Sequence, residues 1–324
     1  MSFGFNFRRF AMAGLALVMA GVAVDFAGAA KARKPARPVY TCPCEAAKSD
    51  PDFLLQGEYV GDKVGVQVVA MGKGQFQVVT YKGGLPGAGW VGAAAKTAEA
   101  KAKTRTVAQC DAAAAKAAVK AMKRIERKSP TLGAKAPKGA VVLFDGTAET
   151  LKDHWEKGEM NDAKLLTQGA VSKDRFGDCT IHVEFRLPYK PQDRGQGRGN
   201  SGIYMQGRYE VQMLDSFGLE GRDNECGGIY KTGRPRENMC LPPLTWQTYD
   251  IQITSARFDA DGKKTANAKV TVRHNGVLIH ENLDCPKPTT SFMREFADES
   301  KPGPIYLQNH GNPVVYRNIW VVKN

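Results

Sequence analysis

Glu210 and Gln212 stand two residues apart in the run 208–214, RYEVQML, where polar and apolar side chains alternate. On a β-strand that spacing places a carboxylate and an amide on one face, about 7 Å apart at the backbone. Tyr209, Val211 and Met213 then turn to the other face, which suits a core. A carboxylate beside an amide can move a proton, accept hydrogen bonds from hydroxyl groups, or simply sit on a wetted sheet. The stretch 201–206 reads as the partner strand of a hairpin, with Gly207 at the join. Tyr204, Tyr209, Phe217 and Tyr230 crowd the same region. A solvated face and a binding groove both fit this strand, and the aromatics add weight to the groove. Gln308 and His310 form a second polar pair, on one face of an expected strand at 305–310.

The elements that must position these pairs are short strands. Residues 179–187 alternate Cys179, Ile181, Val183, Phe185 and Leu187 with Thr180, His182, Glu184 and Arg186. The opposite charges of Glu184 and Arg186 fit a wet face, and His182 is placed there with them, although that face could equally be the groove. Further strands are expected at 141–144, 247–254, 268–273, 277–280 and 314–322. Asn275-Gly276 is the strongest hairpin signal in the chain, and His280 falls at a strand end as a loop or edge residue. No long amphipathic helix interrupts residues 139–324. Strands at short, regular spacing joined by loops predict a two-sheet antiparallel sandwich.

The 324 residues carry a formal charge of +13, unevenly placed. Residues 91–138 hold twelve Lys or Arg against three acidic residues, whereas 139–324 are neutral overall. The basic pI therefore describes one segment rather than the main domain. That segment, rich in Ala and Lys, predicts an exposed helix or a helical linker. It could adhere weakly to an acidic cell-envelope surface. It has no aromatic residue to stack on bases, so no nucleic-acid partner is expected. Arg8 and Arg9 before an apolar run, then Ala27-Gly28-Ala29, read as a secretory signal peptide over residues 1–29. The mature chain is expected to be exported, to the periplasm or beyond, where cysteines can oxidise. Of the seven cysteines, Cys42 and Cys44 could supply a staple, and Cys226 and Cys240 could close a loop. Residues 30–90 read as a basic linker and a small β unit of three short strands, with no catalytic grouping.

Several ordered stretches then carry a resemblance. LFDG at 143–146, NSGIYMQGRYEVQMLDSFG at 200–218, CGGIYK at 226–231, PPLTWQTYDI at 242–251, RHNGVLIHEN at 273–282 and PGPIYLQNHGNPVVYRNIW at 302–320 together resemble the DUF1080 family, also called the 3-keto-disaccharide hydrolase domain. The resemblance spans residues 140–324. The small unit before it resembles a region that precedes this domain in exported planctomycete proteins.

The family implies an all-β, concanavalin-like jelly roll that cleaves disaccharides or glycosides whose sugar carries a 3-ketone. A ketone at C3 acidifies the proton on C2. Its loss expels the substituent on C1, and water can add back. This chemistry asks for a base near C2, stabilisation of the enolate oxygen and a proton for the leaving oxygen. The resemblance implies Glu210 and His310 as the acid–base groups. It implies Gln212, Gln308 and Tyr204 as substrate-binding groups, with Arg317 pairing a carboxylate or holding the oxyanion. Asp215 is a further substrate-binding candidate that could instead orient a neighbour or shape a turn. Lys231, where the family often has a small residue, would add a charge to the groove or simply point outward. Glu210 and His310 could also ligate a divalent metal, although no compact motif demands one. A non-catalytic glycan-binding domain on the same fold is the competing class, since a jelly roll serves both purposes. Oligomeric state is not legible.

Overall fold

The computed structural model describes residues 36–94 and 103–324, with Met1, Thr97, Glu99 and Ala100. Apart from Met1, the expected signal peptide lies outside the described residues.

The sandwich expected from the alternation is present. Its larger antiparallel sheet orders the strands β17 (Val277–Cys285), β16 (Ala268–His274), β13 (Trp246–Thr254), β10 (Cys179–Arg186), β19 (Val315–Lys323) and β6 (Val141–Phe144), with β8 (Leu166–Thr167) alongside β19. The smaller sheet orders β12 (Tyr209–Met213), β11 (Ser201–Met205), β18 (Tyr306–Leu307), β9 (Val171–Ser172) and β7 (Trp155–Lys157). A two-stranded ribbon, β14 (Arg257–Phe258) and β15 (Lys264–Ala266), stands apart. Period-two alternation decides what enters the core. Ile181, Val183 and Phe185 of β10 and Ile251 and Ile253 of β13 join Ile203, Met205, Tyr209, Val211 and Met213 of the smaller sheet in one buried cluster. Each fully buried aliphatic side chain contributes about 1.5–3 kcal/mol over exposure. Asn275 and Gly276 adopt positive φ values of 50° and 79° and join β16 to β17, the backbone a two-residue hairpin requires.

The outer face of the larger sheet is covered, which corrects the wet face expected for His182. Residues 129–134 lie across it. Ser129 hydrogen-bonds Thr248 at 2.6 Å, Gly133 N–H donates to Glu184 Oε1 at 2.5 Å, and Asn318 Nδ2 donates to the Ala134 carbonyl at 3.0 Å. His182 is buried, 2.6 Å from Asp250 and stacked on Trp320. Burial alone would lower the His182 pKa, but hydrogen bonds to Asp250 and Glu184 outweigh it and raise the pKa. Glu184 pairs with Arg317 at 2.7 Å rather than with Arg186. His280 is buried as well, with Nε2 2.7 Å from the Gly227 carbonyl.

The basic segment departs from the helix expected of it. Arg105–Asp111 is a strand, β4, and Lys123–Ile125 is another, β5. With β1 (Gly57–Gly61), β2 (Val64–Gly72) and β3 (Gln75–Lys82) they complete a five-stranded sheet in the order β4-β3-β2-β1-β5. Thr106 and Val107 suit a strand, and pairing along β3 overrides the helix preference of the neighbouring alanine. Helix is confined to Ala112–Val119, capped by the Asp111 side chain on Ala114 N–H at 2.8 Å. This sheet packs on the loops of the sandwich. Tyr189 and Leu244 lie in one cluster with Tyr59, Val68 and Phe76. Cys42 and Cys44 form a disulfide, whereas Cys226 and Cys240 are buried free thiols. Cys226 is hydrogen-bonded to the Tyr249 hydroxyl at 3.2 Å and Cys240 to the Leu214 carbonyl at 3.5 Å, and the two thiols also hydrogen-bond each other.

Candidate functional site

The face of the smaller sheet turned away from the core carries a pocket of about 160 Å³. Register builds its floor. Tyr204 stands opposite Glu210, Gly202 opposite Gln212, and Tyr306 opposite Tyr204. Direct cross-strand neighbours on one face lie within contact of each other, so Tyr204, Glu210 and Gln212 converge. Gln308 follows the end of β18 and reaches the same floor, its Nε2 donating to the Tyr204 hydroxyl at 3.2 Å.

Strand β12 lies at a sheet edge, and the loops that satisfy that edge supply the walls. Thr289 Oγ1 accepts from Glu210 N–H at 3.0 Å, which brings Thr290 and Ser291 to one side. Gly227 and Gly228 exchange backbone hydrogen bonds of 2.9 Å with Gln212, which brings Tyr230 to another. Gln196 and Asn200, joined at 2.9 Å, enter from the loop before β11. Asn312 ties that loop to the His310 segment. Its Oδ1 accepts from Lys190 Nζ at 2.7 Å and Gly199 N–H at 3.2 Å, and its Nδ2 donates to the His310 carbonyl at 3.0 Å. The His310 imidazole is exposed at the pocket rim.

Glu210 is the one carboxylate among the residues lining this pocket, and neither Lys nor Arg is among them. The residue is only 4% exposed. Burial pushes its pKa up to about 7, partly offset by a hydrogen bond from the Tyr204 hydroxyl. In the orientation that satisfies its neighbours, the Gln212 amide donates to Glu210 Oε1 at 2.9 Å and to the Ser201 carbonyl at 3.1 Å. Tyr204, buried beside Glu210, is itself pushed well above the usual phenol range, and the Thr290 carbonyl, 3.1 Å from its hydroxyl, is the other acceptor its single proton can serve. Gln308 Oε1 is buried without a protein partner. A buried acceptor left open is costly unless a ligand supplies the donor. Among the described residues no group of three or more His, Cys, Asp or Glu side chains is arranged to hold a metal.

The pocket therefore gathers Glu210, His310, Tyr204, Gln212 and Gln308, and leaves out the three other substrate-binding candidates. Asp215 lies past the end of β12, where Arg198 Nε holds its Oδ2 at 2.6 Å; both side chains are buried. Lys231 sits one residue beyond Tyr230, exposed and outside this pocket. Arg317 belongs to β19 in the other sheet. It pairs with Glu184, and its guanidinium lies 4.0 Å from the Trp246 ring centroid. Gln196, Asn200, Thr290 and Ser291 were not anticipated. They come from loops, where no periodicity announces a facing.

Asp215 nevertheless matters to the site through Arg198. That arginine also donates to the Ala70 carbonyl of β2 at 3.2 Å, and Arg194 donates to the Met71 carbonyl at 2.6 Å. Together they fasten the loop carrying Gln196 and Asn200 to the five-stranded sheet. Arg198→Ala should destabilise the protein by about 3–5 kcal/mol, because Asp215 stays buried with its charge uncompensated. Adding Asp215→Asn should restore part of that loss. Urea denaturation of both variants checks it; equal stability of wild type and Arg198→Ala would dismiss the pair as a fastening.

The model of the 3-keto-alpha-glucoside-1,2-lyase-like domain matches residues 139–322. The chain belongs to this family. The match covers the sandwich to within one residue of the end of β19, and every residue lining the pocket. A crystal structure of a candidate glycosyl hydrolase from Parabacteroides distasonis is 33% identical, with a TM-score of 0.52, over 58% of this chain and 85% of that one. A second candidate glycosyl hydrolase from the same organism is 18% identical, with a TM-score of 0.40, over 57% of this chain and 99% of that one. No curated protein matches the chain. Membership of a lyase-like, carbohydrate-acting family agrees with a pocket lined mainly by amides, hydroxyls and aromatic rings.

Proposed function

We propose that the protein cleaves 3-keto-disaccharides or 3-keto-glycosides by removing the C2 proton and eliminating the C1 substituent, with net hydrolysis when water adds back. The observation that carries this reading is the single buried carboxylate whose pKa is raised to about 7. An ordinary glycosidase needs two carboxylates flanking the glycosidic bond, and the lining of this pocket offers one. Proton abstraction next to a ketone needs only one base, best tuned near the working pH. Glu210 takes the C2 proton. His310, at the rim where a leaving group departs, supplies a proton to the C1 oxygen. Tyr204 and the amides of Gln212, Gln308 and Asn200 hold sugar hydroxyls and the developing enolate oxygen. The pocket has room for about one sugar ring, with the leaving group directed outward.

The test sets a 3-keto disaccharide beside its unoxidised parent, with and without chelator. Turnover is expected for the keto substrate alone, accompanied by exchange of the C2 hydrogen with solvent deuterium. Equal turnover of the unoxidised sugar would replace the elimination with ordinary hydrolysis. Binding of both sugars without turnover of either, with or without divalent metal, would establish a glycan-binding domain instead.

A further inference from the structure

Next to the pocket lies a second cavity, of about 340 Å³, lined by Arg222, Asp223, Lys231, Thr232, Gly233 and Arg234. Tyr230 lines the first and its chain neighbour Lys231 the second. Lys231 Nζ lies 5.5 Å from the centroid of the Tyr230 ring. The cavity is cationic, with three basic side chains against one carboxylate. Asp223 Oδ2 already accepts the backbone N–H of Lys231 at 3.1 Å, and Arg222 is paired with Glu220 at 3.2 Å. The Lys231 ammonium and the Arg234 guanidinium form no ion pair among the described residues, and both residues are exposed.

The backbone here is a hydrogen-bonded turn. Ile229 and Gly233 exchange two hydrogen bonds of 2.9 Å, and Thr232 N–H donates to the Ile229 carbonyl at 2.8 Å. The turn holds Lys231 at φ 57°, a conformation that glycine or asparagine adopts at least cost. A lysine there presents a charged side chain from a fixed point instead.

We infer that this cavity is a subsite for an anionic substituent on the sugar attached to the 3-keto residue, a carboxylate, a sulfate or a phosphate ester, so that the substrates are acidic glycans. The inference rests on the first pocket being the keto-sugar site. A chain leaving that pocket past Tyr230 meets Lys231 and then Arg234. Two unpaired cations over one cavity suit charge-assisted hydrogen bonds to a single anionic group.

Calorimetric titration tests this without needing turnover. The probes are glucosyl-glucose, glucosyl-glucuronate and the corresponding sulfated and phosphorylated disaccharides. They are applied to wild type, to Lys231→Met and Arg234→Gln, and to the double variant, with folding checked by circular dichroism. At least one anionic probe should bind wild type about tenfold tighter or more than the neutral one. That ratio should collapse in the double variant and shrink as salt is raised; whichever probe binds best identifies the anion. Equal affinity for neutral and anionic probes, no binding of any anionic probe, or a preference that survives in the double variant would overturn the inference. Turnover of a neutral 3-keto disaccharide is followed in parallel. Its absence beside an intact anionic preference removes the proposed chemistry and leaves the subsite standing.

Discussion

Gly202→Ala is expected to lower turnover of a 3-keto disaccharide by about 100-fold while leaving the fold intact. Gly202 sits in β11, in the stretch NSGIYM, opposite Gln212. A Cβ built there would lie 2.3 Å from Glu210 Oε1 and 3.0 Å from both Cδ and Cγ of the same side chain. The missing side chain is therefore the space in which the carboxylate rests. Because the nearest atoms belong to a flexible side chain rather than to backbone, the strand can accept alanine by moving Glu210. Alanine also costs the strand less conformational entropy than glycine does. The substitution thus acts on position more than on stability, and a displacement of about 1 Å at a reacting group can cost 10²-fold in rate. Steady-state kinetics and a thermal melt measured together check this. A folded variant with wild-type kcat/KM would show that the observed placement of the carboxylate does not govern the rate.

What could be read from the sequence, and what could not, follows from the same geometry. Alternation is a local property of one strand. It correctly separated Tyr209, Val211 and Met213 from Glu210 and Gln212, because the inward three are buried together in the sandwich core. It gave no information about which sheet a strand enters. Only the resemblance put Arg317 with Glu210, and β19 and β12 lie in different sheets. It was equally silent on what covers a face. His182 and Glu184 read as wet, yet residues 129–134 fold across them. Composition misled in the basic segment, where pairing with β3 turned Arg105–Asp111 into a strand. The pocket walls were the least legible part. Gln196, Asn200, Thr290 and Ser291 reach the site through loops fixed by hydrogen bonds to distant elements, such as Arg198 to Ala70, and such contacts leave no periodic trace in a sequence.

Glu210→Gln should abolish most turnover, by about 10²-fold or more for a lost acid–base group, and should make the protein more stable at alkaline pH. The second effect follows from the first. Burial, the larger influence, raises the Glu210 pKa from 4.5 to about 7, and the hydrogen bond from Tyr204 only partly opposes it. The folded state then holds this proton more tightly than the unfolded chain does. Its contribution to stability is complete below pH 4.5 and is lost as pH rises through about 7. Above that, the ionised carboxylate sits in a pocket whose lining has no Lys or Arg to compensate it. Glutamine has no proton to lose and keeps an acceptor for Tyr204, so the variant should melt several degrees above wild type at pH 8 and level with it near pH 4. Wild-type kcat/KM should fall as pH drops below about 7, where Glu210 takes up a proton and ceases to be a base. Melting curves at the two pH values, with pH–rate profiles of wild type and variant, separate the possible roles. A carboxylate kept for structure would lose stability on substitution at either pH. A carboxylate kept as a buried base costs the fold stability at the pH where it works, so removing it should trade turnover for a higher melting temperature.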